Sequence, residues 1–217
     1  MISNQSIGTW IERRARIAPD DVAVIFGNTR LTYADMAGRV RRLAHQLRAL
    51  GVKRTDRVGW LGPNHPAFLE ILFATAKIGA VLAPINHRLE RETIEAICSD
   101  VAPRVVFLDA SLSDVRLPPV VAAAVTVGQG DAQENQYERL IANGPDEPID
   151  ELVTFDDLWL DKAASTCGWR VLAGRRGYSV RHDGSGRSAS RRMQPMPADN
   201  SAGTASVPSR RFAHTGS

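Results

Sequence analysis

The residues best able to do chemistry in this 217-residue chain stand where apolar runs end. Asn86-His87-Arg88 follows Val81 to Ile85 and places an imidazole and a guanidinium side by side just beyond an apolar run. Loops that follow buried parallel strands line ligand crevices, so His87 and Arg88 are the candidate substrate-side residues. The plainer reading stands beside it: turn and helix-entry chemistry for Asn86, and a surface charge for Arg88. His65, which also follows an asparagine, occupies a comparable loop. His45 falls in a helical pattern beside Arg41 and Arg42 and reads as an exposed or hydrogen-bonded polar residue rather than a base. Cys98 and Cys167 are too few and too far apart for a disulfide framework or a zinc site, so both read as ordinary thiols. No catalytic, cofactor-binding or metal-ligating residue is assigned.

Positioning such residues requires a core, and the composition permits one. Apolar residues make up 43% of the chain and charged residues 24%, as in globular proteins, and no apolar run approaches the roughly 18 residues of a membrane span. The first residues lack a basic stretch followed by an apolar block, so the expectation is a cytoplasmic protein with no secretory signal. Residues 1–160 hold 17 Lys and Arg against 21 Asp and Glu, whereas 161–217 hold 10 against 3. The basic balance therefore belongs to the back of the chain and does not argue for a nucleic-acid-binding domain in front. Lysine occurs only at positions 53, 77 and 162.

Residues 1–160 read as alternating helices and strands. Ser6 to Ile17 forms a helix with Ile7, Trp10, Ile11, Arg14 and Ile17 on one face, stopped by Pro19. Val22 to Phe26 and Thr29 to Leu31 flank Gly27-Asn28 as a hairpin. Thr32 and Asp35 form a capping pair for a helix whose apolar face is Met36, Val40, Leu43, Ala44, Leu47 and Leu50, with Gly51 as its left-handed stop. Val58 to Leu61 is short and apolar throughout, as a strand buried on both faces must be, which implies a parallel sheet. The pattern continues with a deeply packed helix over His65 to Ile78, a strand over Val81 to Ala83, a helix over Glu90 to Cys98 with Ile94, Ile97 and Cys98 inward, and a strand over Val105 to Leu108. A further strand over Val120 to Val127 and a short helix over Gln133 to Ala142 precede the acidic, proline-containing loop Asn143 to Glu151. From Asp161 the periodicity ends, and a low-order, basic, disordered tail is expected.

Several ordered stretches carry a family resemblance. Leu31-Thr32-Tyr33-Ala34-Asp35-Met36, Arg42-Leu43-Ala44, Leu47-Arg48-Ala49-Leu50-Gly51-Val52 and Asp56-Arg57-Val58 resemble the opening of the AMP-forming adenylate-forming enzymes. Gly62-Pro63-Asn64-His65-Pro66-Ala67-Phe68, then Ala74 to Asn86 with its Gly79-Ala80 and Pro84-Ile85-Asn86, then Arg88-Leu89, resemble the core of that superfamily. Each motif alone is capping and packing chemistry, but the ordered set over Ser6 to Asp109 is specific. Pro84-Ile85-Asn86-His87-Arg88-Leu89 is closer to acyl-CoA synthetases than to peptide-synthetase adenylation domains. The resemblance implies an α/β fold: the N-terminal subdomain of an adenylate-forming enzyme, a largely parallel sheet flanked by helices, with residues 1–160 a partial AMP-binding domain and 161–217 a tail foreign to the family.

For a full-length relative the resemblance implies ATP, Mg²⁺ and coenzyme A with a fatty or other carboxylic acid. The acid attacks the α-phosphate of ATP to give an acyl-adenylate and pyrophosphate, and the thiol of coenzyme A then displaces AMP. Both steps need backbone N–H groups, Mg²⁺ and cationic side chains around the reacting oxygens. The family's Ser/Thr/Gly-rich phosphate loop ends in Pro-Lys-Gly, but its expected place here reads Asp161-Lys162-Ala163-Ala164-Ser165-Thr166-Cys167-Gly168, with the lysine in front, and no lysine follows Lys162. This chain is therefore expected to be inactive, and the change at about Leu160 suggests a reading-frame change or a misjoined end. Subdomain neighbours that the family supplies would be absent, leaving an apolar face and poor solubility. The alternative is a noncatalytic α/β interaction module whose arginine pairs, Arg191-Arg192 and Arg210-Arg211, bind nucleic acid by charge alone. Oligomeric state and acyl-chain length are not legible.

Overall fold

The computed structural model describes residues 6–128, 135–149, 151, 153 and 160. The expected alternation is present: α1 (Trp10–Ile17), β1 (Val22–Phe26), β2 (Thr29–Thr32), α2 (Tyr33–Ala49), β3 (Arg57–Leu61), α3 (Pro66–Lys77), β4 (Val81–Ile85), α4 (Arg91–Val101), β5 (Val105–Asp109), β6 (Ala123–Val127) and α5 (Gln136–Ala142). The expected tail over 161–217 lies outside the described residues, as do Lys162, Cys167 and the arginine pairs.

Local sequence sets the helix starts. Thr32 Oγ1 accepts the Asp35 N–H at 3.1 Å while Asp35 Oδ2 accepts the Thr32 N–H at 3.0 Å, a reciprocal capping box that satisfies two donors the first turn of α2 leaves free. The hydrogen bonds from Thr32, side chain first and backbone second, hold the Asp35 carboxyl below the usual carboxylate range. Met36, Val40, Leu43, Ala44 and Leu47 are buried along one face, as the spacing requires, and Gly51 adopts φ +82° at the stop.

The first helix departs from expectation. Ile7 and Ile11 are buried, but Trp10 is 52% and Ile17 75% exposed. A 3-10 turn over Ile7–Thr9 precedes α1, and the buried side runs through Ile7 and Ile11 with Ala15 packed against the core, whereas Trp10 and Ile17, seven residues apart, share the neighbouring outward side. Arg14 lies with its guanidinium carbon 5.2 Å from the centre of the Tyr33 ring.

β1 and β2 form the expected antiparallel hairpin, and the other four strands form a parallel sheet in the order β4-β3-β5-β6. Alternate residues feed two cores. Val58, Trp60, Leu82, Val105, Phe107, Val125 and Val127 pack with α2, α3 and α5, whereas Leu61, Ala83, Ile85, Val106 and Leu108 pack with Ile94, Cys98 and Val101 of α4. β3 is thus covered on both faces, which is why its sequence is apolar without alternation. Ile97 packs against the α4-side core only in part.

Several boundaries shift, among them α4, which starts at Arg91 and runs three residues beyond Cys98 to Val101. β4 runs two residues beyond Ala83, with Pro84 in register with Trp60; Leu160 bridges the strand's other side at Leu82, so β4 carries little pairing there among the described residues and tolerates a residue without an N–H. β6 starts at Ala123 rather than Val120, because Val121 N–H closes a turn onto Pro118 O at 3.0 Å. α5 starts at Gln136, where Asn135 Oδ1 accepts the Tyr137 N–H at 3.0 Å; residues 133 and 134 lie outside the description.

Candidate functional site

A sheet in the order β4-β3-β5-β6 has its switch point between β3 and β5: the chain leaves β3 through α3 on one face to reach β4, and leaves β4 through α4 on the other face to reach β5. Loops diverging at such a point open a crevice at the carboxyl ends of the strands. Here those loops are 62–65 after β3, 86–90 after β4 and the turn at 109–113 after β5. They converge tightly. A Cβ on Gly62 would stand 3.2 Å from the Trp60 ring and 3.3 Å from Asp109 Cβ, so the first loop lies close against the end of β5.

His87 and Arg88 sit at the carboxyl end of β4. Asn86 Oδ1 accepts the Arg88 N–H at 3.0 Å, a side-chain turn that fixes the direction of the two residues. His87 is half-buried and Arg88 exposed, and among the described residues no carboxylate pairs with Arg88. Asn86 thus performs the turn chemistry of the plainer reading while the turn presents the cation that the functional reading needs.

Asp109, not singled out from the sequence, closes the β5 side. Its Oδ1 accepts the Ser111 N–H at 3.0 Å and the Ser111 hydroxyl at 2.5 Å. The Ser111 hydroxyl bond is the main reason its carboxyl stays below the usual range; burial opposes this, and the Ser111 N–H with the nearby His65 and His87 imidazoles adds to it. The fold therefore gathers His65, His87 and Asp109 from three separate loops. His45 is elsewhere, its Nε2 3.1 Å from Glu147 O, as a satisfied polar residue. Cys98 is buried, and burial pushes its thiol up to about 11, so it is no nucleophile at neutral pH. Among the described residues no group of three or more His, Cys, Asp or Glu is placed to hold a metal ion, and no step is assigned to a metal held by them.

Sequence reading also missed a buried ionic cluster behind the crevice. Glu70 on α3 is fully buried, and both its oxygens accept from Arg39 on α2, at 2.6 and 3.1 Å. Arg39 also donates twice to Glu138 on α5 at 2.7 Å, and the buried Tyr137 hydroxyl donates to Glu70 at 2.5 Å. Burial penalises the Arg39 charge, but the bonds to Glu138 and Glu70 outweigh it and hold the proton more firmly than usual. Burial, with Glu70 alongside, pushes the Tyr137 phenol well above its ordinary range. The signal was present: Glu70 is the single charge in the otherwise apolar run Ala67 to Ala74. A buried carboxylate in such a run demands a cation.

An open, parallel α/β sheet with converging loops at its switch point is the architecture of a ligand-binding enzyme domain. Comparison with known proteins sharpens this. The sequence profile described as "AMP-binding enzyme" matches residues 11–168. The chain is 40% identical over 157 residues to a feruloyl-CoA synthase of Amycolatopsis, covering 72% of this chain and 30% of that protein. It is 34% identical over 169 residues to the long-chain-fatty-acid–CoA ligase FadD13 of Mycobacterium tuberculosis, covering 76% and 33%. Its fold matches the crystal structure of the N-terminal domain of FACL13 from Mycobacterium tuberculosis with a TM-score of 0.65 and 28% identity, over 72% of this chain and 41% of that one. The chain belongs to the AMP-binding enzyme family, and it spans about a third of the length of these curated relatives. Among the described residues no helix is long and apolar enough to cross a membrane.

Proposed function

We propose that this chain carries the N-terminal part of an ATP-dependent carboxylic acid–CoA ligase, with a fatty or related acid as substrate, and that the chain by itself does not turn over. The observation that carries the first half is the 157-residue match to a CoA-ligating relative, laid on a sheet whose switch-point loops bear His87, Arg88 and Asp109. Its part in the reaction is support and substrate approach. The sheet and its two cores fix the three loops, the Asn86 turn aims Arg88 outward as a cation for an anionic substrate oxygen, and His87 supplies a second polar contact.

Activation of the acid with ATP and Mg²⁺, and transfer of the acyl group to coenzyme A, belong in this reading to groups that residues 1–160 do not contribute. Support for the second half is the absence of any lysine after Lys162 and of a Gly-rich turn ending in Pro-Lys-Gly at 161–168.

A chimera tests the reading. Residues 11–160 of this chain replace the matching part of the Amycolatopsis feruloyl-CoA synthase, and acyl-CoA formation is followed. The chimera should retain ligation, and Arg88→Ala within it should raise KM for an anionic substrate with a smaller change in kcat. A folded chimera without ligation would refute the proposal.

A further inference from the structure

His65 stands at a junction that the ligase reading does not use. It is the N-cap of α3, extended at φ −148°, ψ 148°, and its Nδ1 accepts the Ala67 N–H at 3.1 Å. Its ring stacks on Trp60 of β3, with centroids 6.5 Å apart and planes at 25°, and meets Phe26 of the hairpin edge-on at 5.1 Å and 69°. Around it Val24, Ile25, Phe26, Pro66, Phe68 and Leu69 line a groove of about 280 Å³. One imidazole thus touches the hairpin, the end of β3 and the start of α3.

Nδ1 accepts a hydrogen bond only while it carries no proton, so the neutral ring holds its proton on Nε2. A second proton turns Nδ1 into a donor facing the Ala67 donor. It also puts a full positive charge at the positive end of the α3 dipole and beside the apolar hairpin wall. Phe26, with its centroid at 5.1 Å, stands within the distance at which an aromatic ring attracts a cation, and Trp60, at 6.5 Å, just beyond it, so the charged ring keeps its aromatic neighbours and what is lost is the cap.

We infer that His65 is a proton-sensitive latch on α3: neutral, it caps the first turn of the helix; protonated, it uncaps that turn.

The groups facing it from each packed element are few. Glu70 of α3, Glu138 of α5 and Asp109 of β5 favour the proton, Arg39 of α2 opposes it, and the hairpin residues of the groove, Val24, Ile25 and Phe26, are uncharged. Burial is the largest influence and holds the imidazole below its ordinary range. The latch is closed at neutral pH. Because the folded state disfavours the proton, the stabilisation is present above the unfolded-state value of about 6.5 and fades as pH falls through the lower folded value.

The test uses the whole chain. Amide exchange, corrected for its intrinsic pH dependence, is measured at Ala67 and Phe68 between pH 7.5 and 5, with Trp60 emission and the His65 ring resonance followed in parallel. Protection at both amides should fall at least tenfold as the His65 ring titrates, while Val106 and Phe107 in β5 stay protected. His65→Asn, which caps without titrating, should show constant protection across the range. The latch is wrong if the Asn variant shows the same loss, if Ala67 keeps its protection through the His65 titration, or if β5 opens equally. The family assignment and the ligase reading survive any of these results, since neither depends on this proton.

Discussion

Glu70→Leu is the perturbation most tightly specified by the structure. It removes the carboxylate that accepts two bonds from Arg39 and one from Tyr137, in a position with 0% exposure. Breaking a buried ion pair from one side costs about 3–5 kcal/mol because the partner charge stays behind. Arg39 retains Glu138 and its side chain is 21% exposed, which places the charge loss near the lower end, about 3 kcal/mol. The orphaned Tyr137 hydroxyl adds about 1 kcal/mol or more. The sum, about 4 kcal/mol, is a shift of nearly a thousandfold in the folding equilibrium, and about 8–16 °C in Tm for a domain of this size. Urea denaturation followed by circular dichroism reads the change as a lower midpoint at unchanged slope. Adding Tyr137→Phe to the Leu variant should recover about 1 kcal/mol by removing the orphan. A loss below about 0.5 kcal/mol, or no recovery in the double variant, would refute the claim that this cluster binds α2, α3 and α5 together.

Other expectations follow from the same coordinates. A Cβ on Gly144 would stand 2.5 Å from the Arg42 carbonyl oxygen, so Gly144→Ala should cost about 1–3 kcal/mol in a thermal melt. The segment around it runs along α2 through Arg41 and Arg42 to Asp146, Arg48 to Glu151 and His45 to Glu147 O; because the ion pairs are partly exposed, raising salt to about 1 M should speed amide exchange at Asp146, Glu147 and Ile149 while leaving β3 unchanged. Thr32→Ala should cost about 1 kcal/mol. The folded Asp35 carboxyl is held below its unfolded value, so that contribution is complete above about pH 4 and is lost as pH falls through the folded value; urea midpoints at pH 6 and pH 3 should differ less in the Ala variant than in the parent.

Much of the fold was legible because its signals are local. The Thr32–Asp35 box, Gly51 and the apolar face of α2 each state their role within a few residues, and Val58 to Leu61 announces a doubly covered strand by lacking alternation. What was missed depends on contacts between distant segments. The exposure of Trp10 and Ile17 reflects which side of α1 the rest of the fold covers, the side of Ile7 and Ile11, and periodicity alone does not reveal that. Asp109 comes near His65 and His87 only because β5 lies beside β3, and Glu70, Arg39 and Glu138 meet across separations of 31 and 99 residues. The position of His87 and Arg88 at the carboxyl end of β4 was readable because an apolar strand ends just before them.

The central claim is that the chain supplies scaffold and substrate-side loops without the groups that activate a carboxylate on ATP. Exchange of labelled pyrophosphate into ATP, measured on the purified chain with Mg²⁺ and a panel of aromatic and fatty acids, addresses it directly. The account predicts no acid-dependent exchange above that of a protein-free control. Acid-dependent exchange that copurifies with the chain would contradict it.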